Sequence, residues 1–525
     1  MEAYINNAIV PIIENQEEAI NNYLISLGIK PKMIKNIKIV RRSIDSRQKK
    51  NIKFLYNLHV IFNEGEIIPT NSQIIKTSKS STILRKGKSK GKEIIIVGSG
   101  PAGLFSALRL AEYGYIPLIF ERGEEVDERV KTCNRFIYEK QLNENSNIQF
   151  GEGGAGTFSD GKLNTRVKSE YIEKIFEEFV ECGAKEEILW DYKPHVGTDI
   201  LRTVVKNLRN KITKLGGKFY FNTKIENILI ENHTVKGIKI LKKDGSSEVI
   251  NCDKVILAIG HSARDTYKML HKNGVKMEGK AFAMGVRIEH LRKDIDIMQY
   301  GTEEYMDILG AATYNVTYNN TKENRGVFSF CMCPGGEIVN AASTKNTSLV
   351  NGMSYSTRNG EFSNSAIVVG IKENEFGSDI FSNMKVQEDL ERNAFDAFGE
   401  YGGLYQKVED FLKDQNSTTT IESSYKMNLK SYNFKKILPN VIMDNLKLAL
   451  LQWRKNNYFI NENTNLIGQE TRTSSPVRIL RDKYGESVNI RGLFPVGEGS
   501  GYAGGITSSA IDGIKIVDLS FTNVL

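Results

Sequence analysis

The stretch EIIIVGSGPAGLFSALRLAEYGYIPLIFERG, residues 93 to 123, constrains this chain more than any other. A β-branched run, Ile94 to Val97, suits a buried parallel strand, and Gly98, Gly100 and Gly103 follow at the G-x-G-x-x-G spacing. Gly98 permits a tight turn and Gly100 removes the Cβ that would block a pyrophosphate. Gly103 lets the helix that starts at Pro101 and Ala102, and runs to about Tyr113, pack close to the sheet. The helix N-terminus offers free N–H groups and positive dipole to phosphates. A second apolar strand, Ile116 to Phe120, ends at Glu121 with Arg122 beside it, where an acid about twenty positions on accepts ribose hydroxyls. Strand, glycines, helix, strand and acid in register predict a dinucleotide-binding α/β domain.

FAD and NAD share that fingerprint, and the far end of the chain separates them. GLFPVGEGSGYAGGITSSAIDGIKIVDLS, residues 492 to 520, has an apolar strand, a Gly497-Glu498-Gly499 turn, and Gly504-Gly505-Ile506 opening a helix of small residues. Glu498 can accept from ribityl hydroxyls, and the N–H groups of Gly505 and Ile506 can face the pyrimidine edge of a flavin, where negative charge gathers on reduction. The strand Lys254 to Ile259 runs into Gly260-His261, a turn placed where two-part FAD folds return to the first sheet. The expected cofactor is FAD.

These pieces stand with NIQFGEGGAGTFSDGKLNTR (147 to 166), AFAMGVRIEH (281 to 290), FCMCPGGEIVNAAS (330 to 343), NGMSYSTRNGEFSNSA (351 to 366) and GQETRTSSPVRILRD (468 to 482). Together they resemble a bacterial family of FAD-dependent dehydrogenases, largely uncharacterised oxidoreductases of the glutathione-reductase-type FAD fold. The resemblance spans nearly the whole chain. It implies an α/β architecture: a discontinuous Rossmann-like FAD-binding domain of glutathione-reductase type, an inserted α+β substrate domain, and a small N-terminal α+β module. It also implies that the glycine-rich loop, with Gly154, Gly156, Ser159 and Lys162, lies along the flavin.

The expected boundaries are a basic module over 1–75, a basic linker over 76–92, the FAD domain over 93–274 and 488–525, and the substrate or cap domain over 275–487. Glu14 to Leu27 reads as a helix, and Ile37 to Ser43 and Ile52 to Phe62 as strands, the second with Phe54, Tyr56, Leu58 and Val60 on one face. Asp199 to Leu215 has helical spacing and stops at Gly216-Gly217; KFYFNT, KIENILIE and VKGIKILKKDG read as a β-meander. Within the cap, Val386 to Phe398 and Leu404 to Lys413 read as helices.

With 525 residues, 40% hydrophobic and 26% charged, the chain can build two or three cores. No run approaches the roughly 18 apolar residues of a membrane span. The first twenty residues carry no Lys or Arg, which speaks against a secretory signal. Five scattered cysteines are too few for a disulfide framework, and the cytoplasm is the expected location. The net charge of +8 belongs to the N-terminus: residues 1 to 92 carry 17 Lys+Arg against 7 Asp+Glu. Lys30, Lys32, Lys35, Lys38, Arg41, Arg42, Arg47, Lys49, Lys50 and Lys53 can face nucleic acid or an acidic partner. No aromatic platform or helix-turn-helix signature accompanies them, so nucleic acid is not the expected partner and packing against the flavin domain or another subunit is.

The histidines show no metal-ligand spacing, so no metal is expected, and no G-x-S-x-G elbow supports hydrolysis. Candidate catalytic residues are Cys331, Cys333 and Arg472. The two cysteines lack a dithiol C-x-x-C spacing. As a strand, CMC puts both thiols on one face, and with no His or Lys in FCMCPGGE to lower a thiol pKa, packing as small hydrophobes is the expectation. Arg472, Arg478 and Arg481 with Glu470 can clamp an anionic substrate or form an ordinary ion-pair network. Only one fingerprint is present, so either NAD(P)H reaches the flavin as a transient electron donor or another donor reduces it. The expected function is hydride transfer through flavin N5 to or from a small molecule; the alternative is a flavin-bearing RNA-modification or partner-binding factor recruited by the basic module. The substrate, electron donor and oligomeric state are left open.

Overall fold

The computed structural model describes residues 1–13, 15–69, 74–76, 91–302 and 306–522. At its centre is a five-stranded, all-parallel sheet in the order Leu493–Pro495, Val255–Leu257, Glu93–Val97, Ile116–Phe120, Lys218–Tyr220. The strand after the linker is apolar on both faces because both are covered. Ile94 and Ile96 meet the helices Pro101–Glu112, Thr198–Lys214 and Ile506–Ser520, whereas Ile95 and Val97 meet the antiparallel meander Thr223–Glu231, Thr234–Lys242, Ser247–Asn251. Chain ends far apart in sequence thus share one sheet, with Leu493–Pro495 beside Val255–Leu257.

One expected meander strand lies elsewhere. Lys218–Tyr220 of KFYFNT pairs parallel with Ile116–Phe120, and the meander begins at Thr223. The helix Thr198–Lys214 supplies the crossover that a parallel neighbour requires, so the strand after Gly217 returns to the sheet edge.

The second large body is a seven-stranded sheet in the order Thr317–Asn320, Arg325–Cys333, Phe362–Ile371, Phe282–Leu291, Asn465–Glu470, Gly403–Lys407, Leu429–Ser431. The expected helix Leu404 to Lys413 is a strand, Gly403–Lys407, followed by a short helix, Val408–Leu412. Leu404 and Tyr405 are both buried and the strand pairs with Asn465–Glu470, so sheet context overrides a helical pattern. The helices Ser382–Phe398 and Asn440–Trp453 pack around this sheet.

The N-terminal module is a four-stranded antiparallel sheet, Ile34–Asp45, Lys53–Phe62, Glu2–Pro11, Ile74–Lys76, with the helix Gln16–Ser26 upon it. Phe54, Tyr56, Leu58 and Val60 are all buried. Most of the linker, 77–90, lies outside the described residues. Part of the module's basic character is spent internally. Arg42 pairs with Asp191 at 2.9 Å and lies 4.6 Å over the Trp190 ring, while Arg41 lies 4.6 Å over Tyr192. Lys49 Nζ donates to the Met298 carbonyl at 2.8 Å. The module's apolar residues and those of the seven-stranded body form one continuous cluster. Trypsin cleavage among the lysines and arginines of 76–92 is therefore expected to leave both fragments in one particle. Fragments that separate on gel filtration would show that the shared core does not hold them.

Candidate functional site

A cavity of about 350 Å³ opens at the carboxyl ends of the parallel strands and reaches the seven-stranded body. Of the residues singled out in the sequence, Gly98, Gly100, Pro101, Ala102, Glu121, Arg122, Gly154, Gly156, Ser159, Lys162, Gly260, Glu498, Gly504, Gly505, Ile506, Cys331 and Arg472 line it. Gly103, Gly497 and Cys333 stand behind its wall. A Cβ on Gly103 would lie 2.0 Å from the Gly98 carbonyl oxygen, so the residue serves the contact of helix and turn. A Cβ on Gly100 would meet nothing nearer than Gly154 Cα at 3.8 Å: its missing side chain faces open space between the fingerprint turn and the glycine-rich loop.

Glu121 is buried and held by four donors. Its Oε2 accepts from the Ser99 N–H at 2.9 Å and Oγ at 2.8 Å, and its Oε1 from the N–H groups of Gly123 at 2.9 Å and Gly151 at 3.1 Å. The carboxylate thereby ties the first turn to the glycine-rich loop, with two donors on each oxygen. Arg122 lies 4.3 Å over the Phe150 ring and pairs with Asp265.

The glycine-rich loop owes its shape to a residue with no sequence signal. Arg129, fully buried in the helix Val126–Glu139, donates to the carbonyls of Asn147 (2.8 Å), Ile148 (2.9 Å), Glu152 (2.6 Å) and Gly154 (2.9 Å). Farther along, Lys162 pairs with buried Asp160 at 2.7 Å and donates to the Met332 carbonyl, linking loop and seven-stranded body.

At the opposite wall, burial pushes the Glu498 carboxyl up to about 7, against the Gly505 N–H and Lys280, which favour its ionised form. Gly505 and Ile506, the expected pyrimidine-edge donors, line the same wall, at the N-terminus of the helix Ile506–Ser520. His261, 3.6 Å from Glu498, is held down to about 4 by burial and by Arg472 and Arg264, so it is neutral near pH 7.

The arginine clamp does not form. Arg472 grips Glu391 through Nε at 2.9 Å and Nη2 at 2.6 Å, Arg478 pairs with Glu278, Arg481 with Asp512, and Glu470 with Arg287. The helix Ser382–Phe398 inserts Glu391 between Arg472 and Arg264, and the network reading is the correct one.

The cysteine expectations also change. A bulge between Phe330 and Cys333 breaks the period-two pattern, and Cys331 takes φ +46. Cys331 lines the cavity and Cys333 is fully buried. The cations absent from the local sequence arrive from elsewhere: Lys162 and Arg287 both face the pair.

The C-terminal domain-like family of FAD-dependent proteins matches residues 281–473. An uncharacterised protein of Clostridium beijerinckii (strain ATCC 51743 / NCIMB 8052) is 42% identical over 507 residues, covering 94% of this chain and 93% of the relative. The chain belongs to a family of FAD-dependent proteins. Residues 1–61 match a domain of unknown function. Solved structures include glycine oxidase from Bacillus cereus ATCC 14579, 12% identical with a TM-score of 0.34 over 82% of this chain and 94% of that one. Another is 3-ketosteroid-delta4-(5alpha)-dehydrogenase from Rhodococcus jostii RHA1, 12% identical with a TM-score of 0.35 over 83% of this chain and 99% of that one. Both likenesses are too weak to bear on function. The residues present fit FAD on their own: an open cradle at Gly100, a fixed acid at Glu121, and a helix N-terminus at the far wall. Among the described residues, no helix is long and apolar enough to cross a membrane.

Proposed function

We propose that this FAD-dependent oxidoreductase transfers a hydride between its flavin and a small molecule admitted where the cavity meets the seven-stranded body, on a two-part FAD domain of glutathione-reductase type with 275–487 as substrate domain. The observation that carries the reading is the continuity of one cavity from Gly98 and Gly100 to Glu498 and Ile506 and on to Cys331, Asn351 and Arg472. Bound FAD supplies hydride acceptance and donation at N5. The chain's own groups bind and orient: the turn at Gly98 and Gly100 and the helix behind Pro101 take the pyrophosphate, and Glu121, expected as the ribose acceptor, fixes the turn and the loop that border the adenosine end. Gly154, Gly156 and Ser159 border the flavin, Glu498 takes the ribityl chain, and the Ile506 N–H faces the pyrimidine edge. Neutral His261 and Arg472, held by Glu391, close the wall. With one fingerprint in the chain, NAD(P)H is a transient donor. The five free thiols fit a reducing compartment, the cytoplasm. Engagement of Arg41 and Arg42 by Tyr192, Trp190 and Asp191 favours this reading over recruitment of RNA by the basic module.

Chromatography of the cofactor released on denaturation tests the reading. FAD is expected; FMN, which has no adenosine to occupy the Gly98–Glu121 half, or free NAD would overturn it.

A further inference from the structure

We propose that Cys331 and Cys333 form a redox-active dithiol at the edge of the flavin cavity that reduces small disulfides, with Cys331 as the attacking sulfur and Cys333 as its resolving partner. The proposal adds a sulfur route to the hydride chemistry above and rests on the reading of the cavity as the flavin site.

Three observations separate this pair from the other thiols. First, Cys331 is the cysteine that lines the cavity among the described residues, whereas burial pushes Cys133 and Cys182 up to about 11 and Cys252 up to about 12, as befits packing groups. Second, the bulge takes both residues out of the regular ladder and turns the Cys333 thiol back on Cys331, whose carbonyl oxygen accepts from Cys333 Sγ at 3.3 Å. Third, two cations from remote segments converge there. Arg287 Nη2 donates to the Cys331 carbonyl at 2.7 Å and lies 3.5 Å from Cys333 Sγ, and Lys162 donates to the carbonyl of the intervening Met332.

These contacts divide the labour between the sulfurs. With the Cys333 thiol beside it and Lys162 and Arg287 adding attraction, the Cys331 thiol is held below its ordinary range despite burial and the opposing Asp160. Cys333, beside that negative sulfur and in the dry interior near Tyr314, is pushed up and keeps its proton. Glu470 and Glu498 also face Cys331, and both are themselves raised to about 7 by burial, which limits the negative charge they set against the thiolate below neutrality. A thiolate on the cavity side with a thiol behind it is the order that disulfide exchange needs.

The chemistry balances. The Cys331 thiolate attacks one sulfur of R–S–S–R, the S–S bond breaks and RS⁻ leaves. Cys333 loses its proton and attacks Cys331 Sγ of the mixed disulfide, releasing the second thiol as RSH and closing the Cys331–Cys333 bond. Reduced FAD in the adjoining cavity would supply the two electrons and one proton that return the pair to thiolate and thiol.

The test uses the flavin-loaded protein and 5,5′-dithiobis(2-nitrobenzoate) at pH 6, where an ordinary thiol near 8.5 is almost wholly protonated. The wild type is expected to release two thionitrobenzoate ions per chain, at least about tenfold faster than free cysteine, and to end without adduct and 2 Da lighter. Cys333→Ser is expected to release one and retain an adduct on Cys331; Cys331→Ser is expected to release none in this phase. Anaerobic photoreduction of the flavin in the oxidised protein should restore both thiols. A wild type that reacts no faster than free cysteine, that keeps its adduct, or whose disulfide survives flavin reduction would overturn the proposal. The flavin spectrum of the same samples reports separately on the cofactor: resolving thiols in a protein without FAD would sink the cofactor reading, and inert thiols in a loaded protein would sink the dithiol.

Discussion

The Gly100→Val variant is expected to purify folded and colourless, with its affinity for FAD lowered at least about a hundredfold, roughly 2.7 kcal/mol. The fold tolerates the first carbon, since the nearest atom to a Cβ there is Gly154 Cα at 3.8 Å, an ordinary contact. Valine's two methyls then enter the space between the fingerprint turn and the 154–156 loop, where a pyrophosphate has to approach the backbone. Gly103→Ala provides the contrast. Its Cβ would sit 2.0 Å from the Gly98 carbonyl oxygen, so the helix Pro101–Glu112 has to move off the turn and stability falls together with cofactor binding. Circular dichroism and the flavin-to-protein absorbance ratio separate the two outcomes. Full flavin loading of Gly100→Val would remove the pyrophosphate from this turn.

What the sequence makes legible about this site is what depends on local backbone geometry. The fingerprint strand, turn and helix form where the glycines and the β-branched run place them, because a turn with Gly98 at φ +100 leaves few other residues a place there. The C-terminal strand, turn and helix are legible for the same reason. Contacts made by long side chains across the chain are not. Arg129 looks like one more charge on an amphipathic helix until the loop 147–154 wraps around it, and Lys162 is separated from Met332 by 170 residues. The expectation of inert cysteines considered only FCMCPGGE, whereas the cations near them, Lys162 and Arg287, come from remote segments. Likewise Leu404 to Lys407 carries a helical pattern that loses to pairing with Asn465–Glu470, an interaction set 60 residues away. Periodicity reports which face is apolar; it does not report which neighbour supplies the hydrogen bonds.

Glu391→Ala is expected to be among the most destabilising single changes, by about 3 to 5 kcal/mol, although this residue does not line the cavity. Its carboxylate is completely buried and receives Arg264 through Nη1 and Nη2 at 2.8 Å each, Arg472 through Nε and Nη2 at 2.9 and 2.6 Å, and the Thr471 hydroxyl at 2.6 Å. Removing it leaves two buried guanidinium groups with no carboxylate closer than Glu388, 3.9 Å from Arg264 Nε, and one of the two, Arg472, lies in the cavity wall beside His261. The two arginines hold the carboxyl far below its ordinary 4.5, outweighing the burial that opposes them. The sign follows. A carboxylate whose folded-state pKa is depressed contributes its stability fully above the unfolded value, and that contribution is lost as pH falls towards the folded one. Glu391→Gln keeps the shape and an acceptor but not the charge, so its deficit relative to wild type should be largest near neutrality and narrow steadily below about pH 4.5. Urea unfolding of both variants across that range is the measurement. A deficit that stays constant on acidification would mean that the amide disturbs packing alone, and that the two arginines draw no net stability from this charge.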